Sequence, residues 1–518
     1  MLHYITALIA VSACFAPAVL RAAERPNIVL IMADDLGYGD VGCYNPVSLI
    51  PTPHLDRLAA QGMRFTDAHS PSSVCSPTRY ALLTGRYSWR SRLQFGVLTA
   101  WSPPLISEDR LTIGRMLQQQ GYRTACVGKW HLGENWATVD GEPPVTRKDK
   151  STNVDFHQKI TDGPTSRGFD VYFGCGSPNF PPYCFVEQDH TLGIPSEPSR
   201  PEFNRPGPML PGWQWVDVEP ALARRSVAFI HDAVARRPQQ PFFLYVPFTA
   251  PHFPVVPSRK FQGTTPVGNY GDFVAQIDAT VGLILAALDE TGVTDNTLVV
   301  FTSDNGPEVT GEVKPGVYDR AEQFGHFSNG ELRGAKRDLW EGGHRVPFIA
   351  RWPGHVPPGT VSHALIGLLD VFATAADVLD AELSEQDAPD SVSFLPALTG
   401  KSQESSRNSL IHHSYSGRFA IRSGNWVLIE HSTGSDNGRR GETAWFREQR
   451  GYADADDHPR QLFDLDADPA QHADLFAERP EIAEELHRKL IEIVANGRST
   501  PGPALANDVE VLIDKPPR

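Results

Sequence analysis

Asn27-Ile28-Val29-Leu30-Ile31-Met32-Ala33, followed at once by Asp34-Asp35, is the stretch on which the fold turns. Beyond Asn27 the run is wholly apolar, and Ile28, Val29 and Ile31 are β-branched. A half-buried strand would alternate apolar with polar residues. A short continuous run reads instead as a strand buried on both faces, as in a parallel sheet covered by helices. The pattern repeats outward along the chain. A helix is expected from Thr52 to Gly62, with Thr52 as N-cap, Pro53 in the first turn and Gly62 as the stop. Residues 111–120 read as a helix closed by Gly121, and residues 124–127 as a strand. Then come a helix at 221–236, a strand at 242–248, a helix at 273–288 and a strand at 297–302. This alternation predicts an α/β fold whose large, mainly parallel central sheet is flanked by helices. Residues 134–165 and the Pro-rich 195–212 read as loop.

After about residue 400 the character changes. Phe419-Ala420-Ile421-Arg422 and Trp426-Val427-Leu428-Ile429 flank Ser423-Gly424-Asn425 as an antiparallel hairpin. A polar stretch, 431–460, precedes Leu462-Phe463-Asp464-Leu465 and a helix at 481–495. The expected organisation is a leader at 1–23, a catalytic domain at 24–400, and a smaller C-terminal subdomain at 401–518 with an antiparallel sheet and a helix.

The 518 residues suffice for a large core. With 40% hydrophobic and 21% charged residues, the composition is that of a globular protein. A net charge of −15 argues against nucleic acid as a partner, so an anionic substrate must be drawn by local cations or a metal. Residues 5–20 read as a cleaved export signal, placing the mature chain in the periplasm or outside the cell. A lipoprotein reading through Val11-Ser12-Ala13-Cys14 ranks below simple export, because apolar sequence continues past Cys14 and no Lys or Arg precedes it. No other stretch reads as long and apolar enough to span a membrane. Of six cysteines, five follow the leader, and that odd number suits one cysteine with a separate role. Cys175 and Cys184 are close enough to pair, or to remain two loop thiols.

Chemistry gathers where strands end. Asp34-Asp35 follow the first strand and Ser303-Asp304-Asn305-Gly306 follow another. Ligands of open parallel sheets bind beyond the carboxyl ends of strands. Either pair alone would read as turn chemistry. Together, three carboxylates and an amide oxygen make a hard, all-oxygen site suited to Ca²⁺ or Mg²⁺. Lys129 and His131 lie in Gly128-Lys129-Trp130-His131-Leu132-Gly133 after a third strand, two apart, and would share a face if extended. His252, in Ala250-Pro251-His252, follows a fourth strand and is a candidate acid.

The densest signal is Cys75-Ser76-Pro77-Thr78-Arg79-Tyr80-Ala81-Leu82-Leu83-Thr84-Gly85-Arg86, which places Cys75 near a helix N-terminus. A thiol there can act as a thiolate, but that chemistry fits a hard-metal site poorly. The run resembles the full signature of type I, formylglycine-dependent sulfatases. The Asp-Asp pair, the Asp-Asn pair, the Gly-Lys-Trp-His-Leu-Gly segment and Leu332-Arg333-Gly334-Ala335-Lys336 resemble further motifs of that family, in the expected order. The resemblance runs from Asn27 to the 462–469 segment, within the alkaline phosphatase superfamily and nearest the arylsulfatase A and N-acetylgalactosamine-6-sulfatase branch. It implies an alkaline phosphatase-like fold and Cys75 converted to formylglycine by a formylglycine-generating enzyme. It implies a Ca²⁺ or Mg²⁺ site of Asp34, Asp35, Cys75, Asp304 and Asn305. Arg79 would hold the formylglycine hydrate, and Lys129 and Lys336 would balance sulfate charge. His252, with Lys336, would protonate the leaving alcohol, and His131 would deprotonate the second hydroxyl. Arg333 reads as structural. The expected substrate is a sulfate monoester of a carbohydrate, of galactose or N-acetylgalactosamine 6-sulfate type, with aryl sulfates as artificial substrates. The alternatives are a phosphonate monoester or phosphodiester hydrolase of the same superfamily, and a non-catalytic binder of sulfated glycans. Tyr87, Trp89, Arg90, Arg92, Trp340 and His344 are candidate pocket residues, with loop packing as the other explanation.

Overall fold

Two cores meet at the first strand. Ile28, Leu30 and Met32 enter one apolar cluster while Val29, Ile31 and Ala33 enter another. The continuous apolar run is therefore a strand covered on both faces. In a computed structural model that describes residues 25–200, 205–309, 314–453 and 458–513, this strand spans Asn27–Asp34. It pairs in parallel with Phe242–Pro251 on one side and Thr297–Ser303 on the other. Arg123–Lys129 adds in parallel to Phe242–Pro251, and Val171–Cys175 in parallel to Arg123–Lys129. A ten-stranded sheet results, closed at one side by Phe348–Arg351, Met63–Phe65 and Thr360–Ser362 and at the other by the short strands Val186–Glu187 and His190–Thr191. Phe348–Arg351 runs antiparallel to both of its neighbours.

On one face lie the helices Val218–Arg236 and Gly268–Glu290, whose Leu222, Ile230, Val274, Val281 and Leu285 fill the second cluster. Gly268–Glu290 corrects one expectation. It is long and apolar enough to cross a membrane. Most of its apolar side chains are buried against the sheet, as in the core helix of a globular domain. The opposite face is covered by Cys75–Thr84, Ile113–Gln119 and Asp370–Val378. Pro53–Ala60 is helical as expected, but Thr52 does not cap it through its side chain. Its hydroxyl instead accepts from the Gly42 amide and donates to Asp56.

Beyond residue 400 a four-stranded antiparallel sheet forms from Leu410–His413, Phe419–Ser423, Trp426–Ile429 and Gln461–Asp464. The helix Pro480–Ala495 lies on one face through Ala483, Leu486 and Leu490. The other face packs Ala420, Val427, Ile429 and Phe463 against Leu339 and Trp340 of the larger domain. The polar stretch 431–460 holds an unexpected short helix, Ala444–Arg450, whose N-cap Thr443 accepts from the Phe446 amide. Cys175 and Cys184 are buried free thiols here. The expected leader at 1–23 and Cys14 lie outside the described residues.

Candidate active site

Four neighbouring parallel strands, Thr297–Ser303, Asn27–Asp34, Phe242–Pro251 and Arg123–Lys129, present their carboxyl ends side by side. Each delivers chemistry there: Asp304-Asn305, Asp34-Asp35, His252 and Lys129. The Phe242–Pro251 strand runs three residues past its expected end, so His252 is the first residue beyond it. Cys75 opens the helix Cys75–Thr84, and its Sγ lies 3.6 Å from Asp34 Oδ1. Ligand atoms of Asp34, Asp35, Cys75 and His252 all fall within 4.8 Å of one another. His252 thus stands among the candidate metal ligands, a position sequence reasoning did not assign to it.

The remaining groups brace these carboxylates. Lys129 Nζ is 2.7 Å from Asp34 Oδ2, and Lys336 Nζ is 2.7 Å from Asp35. Arg79 Nη2 and Nε donate to Asp304 Oδ2 at 2.7 and 3.1 Å, and Nη1 donates to the Lys129 carbonyl at 3.1 Å. The Asp35 amide donates to Asp304 Oδ1 at 3.2 Å. Asn305 Nδ2 donates to Asp35 Oδ1 at 2.7 Å and to the Gly306 carbonyl at 2.9 Å. With both amide hydrogens so engaged, Asn305 Oδ1 is left buried without a hydrogen-bond partner among the described residues. A buried amide oxygen beside three carboxylates fits a hard cation, because an orphaned acceptor in the interior otherwise costs about 1–3 kcal/mol. Gly306 lets this turn approach its neighbour: a Cβ there would lie 1.9 Å from the Gly342 carbonyl oxygen.

Burial dominates the electrostatics. It pushes the Asp35 carboxyl up to about 7, against the pull of Lys336 and with Asp34, Glu308 and Asp304 adding to the rise. Asp34 is equally buried, yet Lys129, Arg79 and Lys336 together hold it below the usual carboxylate range. Burial pushes the Cys75 thiol up to about 12 despite Lys129 and Lys336. The thiol is therefore protonated near neutral pH, which disfavours the thiolate reading.

The two histidines are neutral. Burial, then Lys129, lowers His131 well below the ordinary histidine value; burial, then Lys336 and Lys129, does the same to His252. His131 Nε2 is 2.9 Å from the Leu98 carbonyl, so that nitrogen donates and Nδ1 keeps its lone pair. His252 Nδ1 donates to the Phe253 carbonyl at 2.6 Å, and Nε2 lies 3.8 Å from Asp35 Oδ2. Lys129 and His131 do not share a face by simple alternation, because His131 is left-handed at φ 53°. Asp35 at φ 67° and Arg337 at φ 80° are likewise left-handed, so backbone strain of about 1–3 kcal/mol per residue gathers at this site.

Sequence reasoning missed Glu308, which lies 3.6 Å from Lys336 Nζ and pairs with Arg337. Its signal was its position four residues after Asp304 on the same turn. Arg79, expected to hold the hydrate, bonds through its guanidinium to Asp304 and the Lys129 carbonyl, with Asp34 at 3.6 Å. Of the candidate pocket residues, Tyr87, Trp89, Arg90, Trp340 and His344 are buried in packing. Arg90 clasps Asp390 at 2.8 and 2.9 Å, and Arg92 donates to the Pro103 and Pro104 carbonyls. Arg333 is structural, as expected, pairing with Glu442 and lying over Trp340.

Residues 26–381 match the family model described as Sulfatase. The chain is 34% identical to an N-acetylgalactosamine-6-O-sulfatase of Bacteroides thetaiotaomicron over 507 residues, covering 90% of this chain and 93% of that one. It is 33% identical to arylsulfatase A of Homo sapiens, covering 94% and 91%. A solved structure from work on glycosaminoglycan metabolism by Bacteroides thetaiotaomicron superposes with a TM-score of 0.77 at 32% identity, over 91% of this chain and 99% of the other.

Proposed function

Because this chain belongs to the sulfatase family, and with it to the sulfuric ester hydrolases, we propose that it cleaves the sulfate monoester of a carbohydrate through residue 75 as formylglycine and a bound divalent cation. The observation that carries this reading is the 3.6 Å approach of Cys75 to Asp34 at the head of a helix, among carboxylates from two adjacent strand ends. Converted to formylglycine, residue 75 supplies a geminal diol, with one hydroxyl to attack sulfur and the other to expel sulfate by carbon–oxygen cleavage. Asp34, Asp35, Asp304 and Asn305 would hold Ca²⁺ or Mg²⁺, which supplies Lewis acidity to the sulfate oxygens. Lys129 and Lys336 stand on either side of the carboxylate pair and balance the sulfate charge. That anion offsets the two ammonium groups that, after burial, lower His252. His252 Nε2 can then take up the proton that the attacking hydroxyl sheds and give it to the leaving alcohol. His131 Nδ1 keeps its lone pair and takes the proton of the second hydroxyl. A 6-sulfated galactose or N-acetylgalactosamine is the proposed sugar, a reading supported by the Bacteroides N-acetylgalactosamine-6-O-sulfatase, which shares most of this chain's length.

The test compares sulfate release from an aryl sulfate with phosphate release from the matching aryl phosphate, using protein co-expressed with a formylglycine-generating enzyme. Sulfate release should exceed phosphate release, vanish in Cys75→Ala, and fall on chelation until Ca²⁺ or Mg²⁺ is restored. Cys75→Ser should accumulate a sulfated form of the protein, visible by mass. Sustained turnover by Cys75→Ser would sink the mechanism, and faster phosphate release would move the protein to its phosphohydrolase relatives.

A further inference from the structure

The loop that carries Lys336 is held from three directions, one of them outside the larger domain. The Lys336 amide donates to the Pro307 carbonyl at 3.0 Å, tying the loop to the Asp304 turn. The Arg337 amide donates to the Ser73 carbonyl at 2.9 Å, two residues before Cys75. The third tie comes from the C-terminal subdomain. Asn437 Nδ2 donates to the Lys336 carbonyl and to Asp338 Oδ1, both at 2.8 Å, and Asn437 Oδ1 accepts from Arg337 Nη1 at 3.3 Å. Beside it the Asp436 amide donates to Asp338 Oδ1 at 2.7 Å, and the Leu339 amide donates to the Gly434 carbonyl at 2.7 Å. Gly434 sits so close that a Cβ would meet the Trp340 indole nitrogen at 2.4 Å.

We propose that Asn437 is a positioning residue for Lys336, so that the C-terminal subdomain completes the active site. The inference rests on the sulfate-hydrolysing reading of that site. Arg337 stands at φ 80°, a left-handed conformation that a side chain with a Cβ adopts only under constraint. Lys336 precedes it, so the direction of the Lys336 side chain depends on that turn being held. Glu308 holds it from the side of the metal turn, through Arg337 at 2.8 Å and Lys336 at 3.6 Å. Asn437 holds it from the C-terminal subdomain, touching residues 336, 337 and 338 with one residue that is only 5% exposed. An amide suits this role because it donates to two oxygens and accepts from a guanidinium at once. Asn437 is 101 residues from Lys336 in sequence and bonds to the 336–338 loop, so it acts through that loop.

The experiment uses the full-length matured protein and compares wild type, Asn437→Ala, Lys336→Met and the double variant. Two readouts are taken: steady-state sulfate release and amide hydrogen exchange across residues 333–338. In Asn437→Ala, kcat should fall about tenfold or more with KM within about twofold. Exchange at residues 336–338 should quicken while the rest of the chain, and Tm, stay near wild type. In the Lys336→Met background, Asn437→Ala should cost no further activity, because both changes remove one function. Unchanged kcat with unchanged exchange would overturn the proposal. So would an equal, additive loss in both backgrounds with a lowered Tm, which would mark a general structural role. If Asn437→Ala does not fold, Asn437→Ser, which retains one donor, enters the same comparison. A wild type that releases no sulfate would defeat the functional reading instead, and the exchange measurement would still decide whether Asn437 holds the loop.

Discussion

Arg79 has no exposed surface and turns its guanidinium wholly inward, forking onto Asp304 and reaching the Lys129 carbonyl. A lysine carries a single point charge and cannot span both partners. Arg79→Met should destabilise the fold by about 3–5 kcal/mol, because it leaves Asp304 buried without its cation. Arg79→Lys should cost less, and both should weaken retention of the proposed divalent ion. Urea denaturation and metal analysis would check this; a wild-type unfolding midpoint for Arg79→Met would show that Asp304 is satisfied by other means. At this scale the sequence located the chemical groups but not their postures. Asp34, Asp35, Asp304 and Asn305 were readable because strand ends in a parallel sheet are where ligands bind. The left-handed turn at His131 was not, because alternation assumes an extended chain and says nothing of where it breaks.

Three short elements meet where the two parts of the chain join. His69 ends the strand Ala68–His69, His344 ends the turn of helix Glu341–His344, and His412 lies in the strand Leu410–His413. The His344 and His412 rings stack at 3.7 Å, and His69 Nδ1 lies 3.1 Å from His344 Nδ1. Asp67, Glu341, Arg345 and Arg422 surround them. Burial lowers His344 to about 4 and His412 well below the ordinary value. The unfolded chain therefore binds these protons more readily than the folded one. The stabilisation from the neutral His344 ring is complete above about pH 6.5 and is lost as pH falls towards 4. The expected outcome is a Tm that drops over this window, with exchange at 410–413 rising first. His412→Asn should flatten the slope; an identical slope in that variant would place the acid sensitivity elsewhere. Elements of this kind are hard to read from sequence. The long strands announce themselves because burial on both faces demands an unbroken apolar run. The helix Ala444–Arg450 is only seven residues long, with its apolar residues confined to 444–446, so its period is too brief to stand out.

Taken whole, the molecule builds one site from residues that span 34 to 437 in the chain, and each long-range tie closes only when distant segments have met. The α/β architecture could be inferred because local patterns repeat at the scale of single elements. The contribution of Asn437 could not, since nothing near it in sequence distinguishes it from any loop asparagine. The same assembly has a consequence in time. Cys75 is 2% exposed, sealed beneath the strand ends and the start of its own helix. No second enzyme can grip the segment around it once the sheet has closed over it. Any conversion of this side chain must therefore happen on the nascent or unfolded chain. Protein made without a formylglycine-generating enzyme and exposed to one only after folding should keep its thiol by peptide mass, whereas the same protein exposed while denatured, or a peptide spanning residues 70–90, should be converted. Conversion of the folded protein at the peptide's rate would show that this region opens readily. Otherwise, on the proposed formylglycine mechanism, maturation would be a race against the closing sheet, and a molecule that folded first would stay inactive.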